Sequence, residues 1–153
     1  MLGVLFPYAA LPFWGALLEE LQREAAVLGL QLDVRFHEWN AKREADSIAT
    51  MIERRVEGLI LAPSVFPYRK LASVLHSAED FPVVIAAPLE VQELPVCIRG
   101  SVGSDLAGGS AELGEYLLDM GHRHVAFLES GRQSSRDPRT RGLESVLGRV
   151  RGA

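Results

Sequence analysis

Cysteine is nearly absent from the sequence. Cys97 stands alone, so no intrachain disulfide can form and nothing points to an oxidising compartment. An excess of positive charge is missing as well. The 16 Lys and Arg face 20 Asp and Glu, a net charge of -4, which disfavours wrapping nucleic acid because displacing phosphate counterions takes a basic footprint. Long hydrophobic runs are also lacking. Pro7, Pro12 and Glu19 break the amino-terminal apolar stretch before it reaches the length of a signal-peptide core or a membrane span, although a leader upstream of Met1 stays open. Low-complexity tracts, heptads and short repeats are missing too.

What is present is an alternation of strand and helix patterns. Leu2 to Pro7 is an apolar run of strand length. Pro12 suits a first helical turn, and Phe13, Leu17, Leu21, Ala25 and Leu28 recur at helical spacing until Gly29. Leu30, Leu32, Val34 and Phe36 alternate with Gln31, Asp33 and Arg35, the pattern of a half-exposed strand at a sheet edge. Asn40 can cap a helix with Ala45, Ile48, Ile52 and Val56 inside, ending near Gly58. Leu59 to Ala62 has no polar break, as expected of a central parallel strand.

Further units follow in the same order. A helix carries Leu71, Val74, Leu75 and Ala78, and strands follow at Val83 to Ala86 and Val96 to Val102. The helix over Ala111, Leu117 and Met120 leads to a strand at Val125 to Leu128. A last helix begins at Pro138 and carries Leu143, Val146 and Val150, with little sheet to cover. Its apolar stripe is therefore expected to stay partly exposed and its tail loosely docked from about Ser130. Repeated strand and helix units imply an α/β, doubly wound parallel sheet. In such a sheet ligands bind beyond the carboxyl ends of the strands. That rule nominates Tyr8 to Trp14, Ala62 to Ser64, Ala87-Pro88, Ser104-Asp105 and Ser130 to Arg139 as one mouth.

Motifs of catalysis and metal binding fail on their own terms. Gly103 to Ser110 imitates a phosphate-binding loop, but Gly109 occupies the place of its lysine. His122 and His124 lack a third ligand at metal spacing. Cys97 lies in an apolar strand without a nearby His and reads as a buried small side chain. No Gly-x-Ser-x-Gly elbow occurs, and Glu19-Glu20 and Glu79-Asp80 read as solvated helix surface.

The stretch Val102-Gly-Ser-Asp105 with Gly108-Gly109, then Tyr116 to Gly121 and His122-Arg-His-Val-Ala-Phe-Leu128, resembles the crossover between the two lobes of LacI/GalR-type regulators and periplasmic sugar-binding proteins. The opening Gly3 to Pro7 with Leu11-Pro-Phe-Trp14, the run Arg55 to Leu61, Phe81 to Ile85, and Arg139 with Gly142-Leu143 match the family in the same order. The resemblance implies a periplasmic-binding-protein-like fold with a first lobe over residues 1–104 and the crossover and start of a second lobe over 105–153. It implies an effector-sensing domain, not an enzyme and without a cofactor. It also implies a cytoplasmic homodimer that meets DNA only through a head absent from this chain, and no membrane partner. Alone, the chain is not expected to bind duplex DNA specifically.

Carried over by position, the ligand-binding candidates are Tyr8, Leu11, Phe13, Trp14, Ala62, Ala87, Asp105 and Arg139. Sugar-binding relatives carry polar side chains at most of these places, whereas here only Asp105 and Arg139 keep that chemistry. Each sugar hydroxyl buried without a partner costs roughly 1 to 3 kcal/mol, so a monosaccharide is expected to bind weakly. Phe13 and Trp14 either stack on a flat ligand or serve as core and dimer contacts. Asp105 is a ligand contact, a helix cap, or both. Tyr8 is pocket wall or core. The resemblance implies a small-molecule effector, with carbohydrates and their derivatives one candidate class. The alternative reading is the binding component of a sugar uptake system, which the Gly121 to Val125 turn resembles less closely than it does the regulators. A doubly wound enzyme is a more distant reading.

Overall fold

The computed structural model describes residues 1–63, 81–87, 96–128 and 137–150. The chain divides into two compact units, Met1–Gly103 and Ser104–Ala153.

The first unit is built on five parallel strands, β1 (Leu2–Phe6), β2 (Leu32–Phe36), β3 (Leu59–Leu61), β4 (Val83–Ile85) and β5 (Ile98–Ser101), in the order β2-β1-β3-β4-β5. Among the described residues its helices are α1 (Pro12–Val27) and α2 (Ala41–Glu53). Because strand side chains alternate between faces, Val4, Phe6 and Ala62 pack with Trp14, Leu17 and Leu21 of α1, while Leu5, Leu59 and Leu61 pack with Ile48 and Met51 of α2. One helix on each face makes the sheet doubly wound. As the alternating pattern indicated, β2 lies at the edge with its residues half-buried, and the uninterrupted β3 lies at the centre. β5 is shorter than the apolar run suggests, with Val96 and Val102 both exposed beyond its ends.

Local signals set the helix ends. Gly29 sits at φ +67, and its N–H and that of Leu30 close onto the Ala26 and Ala25 carbonyls, so α1 stops there. Asn40 Oδ1 accepts from the N–H groups of Lys42 and Arg43 at the head of α2. The helix expected over Leu71 to Ala78 lies outside the described residues.

The second unit holds α3 (Leu106–Asp119) and α4 (Pro138–Val150). Two expectations are corrected here. Val125 to Leu128 forms no strand, and Leu128 is 93% exposed. No neighbouring strand pairs with this segment among the described residues, and an apolar run becomes a strand only when another chain segment satisfies its backbone. On α4, in contrast, the described part of the expected stripe is covered. Leu143 and Val146 are buried, because glycines let the two helices approach closely. A side chain at Gly142 would overlap the Ala107 carbonyl, and one at Gly114 would touch Val146 Cβ at 3.4 Å.

Candidate functional site

In the order β2-β1-β3-β4-β5 the strand connections reverse between β1 and β3, with α1 and α2 on opposite faces. At that point the carboxyl ends of an open parallel sheet leave a crevice. Tyr8, Leu11, Phe13 and Trp14 follow β1 and Ala62 follows β3, so the parallel order brings them to the same end of the sheet.

Their environments differ. Trp14 leans on Phe6, ring centroids 5.0 Å apart, and packs in the core beneath α1. Phe13 meets the edge of Trp14 at 4.8 Å yet is 63% exposed. Leu11 is exposed at the head of α1, where no side chain caps the helix. Ala62 is buried. Ala87, after β4, packs against the α2-side core, the opposite face from Trp14. Tyr8 is half-buried, and its hydroxyl donates to the Glu38 carbonyl at 3.3 Å. Pro88 and Ser64 lie outside the described residues, as do Ser130 to Arg136.

Asp105 and Arg139 belong to the second unit. Asp105 caps α3, Oδ1 accepting from Gly108 N–H at 2.8 Å. A Cβ on Gly108 would overlap that carboxylate, so the glycine and the cap occur together. Arg139 Nη1 stands 3.4 Å from Oδ2 of Asp137, whose Oδ1 accepts from Arg139 N–H at 2.8 Å. Asp137 is buried and caps α4. The dipeptide Asp137-Pro138, a capping residue before a first-turn proline, was the overlooked sequence signal for it.

The sequence reading also passed over the loop after β2, which leaves the sheet at the same end. His37 is fully buried there. Its Nδ1 accepts from Trp39 N–H at 3.2 Å, so Nε2 carries the proton and donates to the Ala62 carbonyl at 2.7 Å. Burial pushes the pKa of His37 below the ordinary 6.5. The Ala62 carbonyl and the negative charge of Glu44 act the other way without overcoming it. Burial likewise raises the Cys97 thiol, which agrees with an inert core residue. Among the described residues no cluster of His, Cys, Asp and Glu could hold a metal ion, and no helix is long and apolar enough to cross a membrane.

The family of periplasmic binding proteins and sugar binding domains of the LacI family matches residues 1–150. The chain belongs to that family. Over 149 residues it is 22% identical to the HTH-type transcriptional regulator DegA of Bacillus subtilis, which covers 96% of this chain and 43% of DegA. The crystal structure of transcription regulator CcpA of Lactococcus lactis superposes with a TM-score of 0.81 at 17% identity, over 98% of this chain and 54% of that one. A carbohydrate transporter solute binding protein from Chloroflexus aurantiacus, in complex with D-glucose, gives a TM-score of 0.75 at 17% identity, over 99% and 45%. At such identities the structural likeness is one of fold. The chain spans about half the length of these relatives.

Proposed function

We propose that this LacI-family chain senses a small-molecule effector for a transcriptional regulator. Effector binding would shift the regulator between two conformations and so change how a dimer presents its DNA-binding heads in the cytoplasm. The observation that carries the reading is the family match across residues 1–150, on a sheet whose switch point opens between β1 and β3. In this reading residues 1–104 are the first lobe and 105–153 the crossover and start of the second. No catalytic group is assigned. The likeness to the solute binding protein supports the transport alternative only at the level of fold.

Tyr8, Leu11, Phe13, Trp14, Ala62 and Ala87 are the proposed ligand residues of the first lobe. Asp105 and Arg139 are assigned by the family resemblance as the polar ones. In the described part of the first-lobe mouth the Tyr8 hydroxyl and both His37 ring nitrogens are already engaged within the protein. The exposed side chains of Leu11 and Phe13 are apolar. Such a surface suits the apolar face of a ring better than a fringe of hydroxyl groups.

Calorimetric titration of the chain with D-ribose, D-glucose and flat heterocycles such as adenine tests this. The expected outcome is millimolar or weaker binding of the monosaccharides, about 4 kcal/mol, with a flat ring bound roughly tenfold or more tightly, about 1.4 kcal/mol. Micromolar binding of a monosaccharide would overturn the apolar reading of the mouth. Turnover of a sugar phosphate would overturn the sensing function.

A further inference from the structure

Three chain segments meet at His37. It follows the edge strand β2, yet its ring bonds the carbonyl of Ala62 just after β3, two strands away in the sheet order, and so reaches past the end of β1. Its own N–H donates to Phe6 O at 3.0 Å, and its carbonyl accepts from Asn40 N–H at 2.8 Å. The next two residues, Glu38 and Trp39, both have left-handed backbone, at φ 52 and 57. Neither is a glycine, and left-handed backbone at such residues is strained. Such a turn persists only if it is held. Glu38 is held by its N–H on Pro7 O at 3.0 Å and by the Tyr8 hydroxyl on its carbonyl. Trp39 is held by its N–H on His37 Nδ1, with its indole set edgewise to the imidazole, centroids 5.9 Å apart.

We propose that His37 is a proton-operated latch on the first-lobe mouth: neutral, it fixes the loop after β2 through Trp39, and protonated on Nδ1 it releases that loop. The reason is donor and acceptor count. Nδ1 is the acceptor for Trp39 N–H, and a proton added there sets two donors against each other, while Nε2 continues to donate to Ala62. The two left-handed residues then lose one of the contacts that offset their strain. The groups facing the ring agree with an acid-side transition. From α2 the buried Glu44 acts on it, favouring the proton, and on its own loop Glu38 is paired with Arg43. From the ends of β1 and β3 the described contacts are the main-chain oxygens of Phe6 and Ala62. Burial outweighs the attraction of Glu44, so the latch is closed at neutral pH and opens below the ordinary imidazole range. His37 is a positioning residue for the mouth and does not itself touch ligand.

The latch deepens the sensing reading but is measured without ligand, so either can fail alone. In the 15N-labelled chain, long-range proton–nitrogen spectra at about pH 7.5 should show the Nε2–H tautomer of His37. On acidification to about pH 5, Trp39 amide protection should fall roughly tenfold, the scale of one lost hydrogen bond. The amides of Val4 and Leu5 within β1 should keep theirs. His37→Asn, which cannot gain a proton in this range, should abolish the pH response whatever its resting protection. An Nδ1–H tautomer at neutral pH, unchanged Trp39 protection on acidification, a loss shared by Val4 and Leu5, or a response that survives in His37→Asn would each overturn the latch.

Discussion

Gly142→Ala is expected to destabilise the second unit by about 2 kcal/mol or more, whereas Gly109→Ala is expected to stabilise it by roughly 0.5 to 1 kcal/mol. Both residues lie in helices, where alanine is ordinarily the better residue by that smaller amount because glycine has more backbone freedom to lose. The difference is the space each meets. A Cβ on Gly109 has nothing within 4 Å, while one on Gly142 overlaps the Ala107 carbonyl and comes within 3.0 Å of Ser110 Cβ. The Ala107 carbonyl is backbone within α3 and cannot rotate away. The helices must separate, and burial of Leu143 and Val146 goes with them. Hydrogen exchange of the α3 and α4 amides, read for both variants, would show opposite shifts. Equal shifts of the same sign would refute the close approach.

Phe6→Ala is expected to cost about 3 to 5 kcal/mol of stability, with Leu128→Ala within roughly 0.5 kcal/mol as its control. Phe6 is fully buried at the end of β1 and supports the ring of Trp14, while Leu128 is almost wholly exposed. The cavity left by the lost ring lies against Trp14, which should lose its support as well as its solvent shield. Urea unfolding gives the stability change. Fluorescence in a Trp39→Phe background, where Trp14 is the sole indole, should shift to longer wavelength in the native baseline. A loss below about 1 kcal/mol would refute the tight packing of Phe6 against Trp14.

Most of the first unit was legible because its signals are local and redundant. The helical spacing of Leu17, Leu21 and Ala25, the stop at Gly29 and the cap at Asn40 each follow from a few adjacent residues, and the structure has all three, although Phe13 and Leu28 at the ends of the same pattern are exposed. Alternation marked β2 as an edge and its absence marked β3 as central. The Val125 to Leu128 run misled because apolar composition shows that a segment would gain from burial, not whether a neighbour is there to pair with it. The α4 stripe misled in the opposite direction. Spacing identified the face, but the glycines that let α3 come close enough to cover it act only through three-dimensional approach.

The sequence by itself determined the alternation of strands and helices and the membership of the LacI family, since both follow from short-range pattern and residue order. Tertiary structure alone decided what each polar group is free to do. The Tyr8 hydroxyl is engaged by the Glu38 carbonyl, 30 residues away. His37, which no motif singled out, spans from the edge strand to the Ala62 carbonyl 25 residues away. The physical reason is that a hydrogen bond depends on ångström-scale placement of both partners, and that placement is fixed only when the strands carrying them have packed into one sheet.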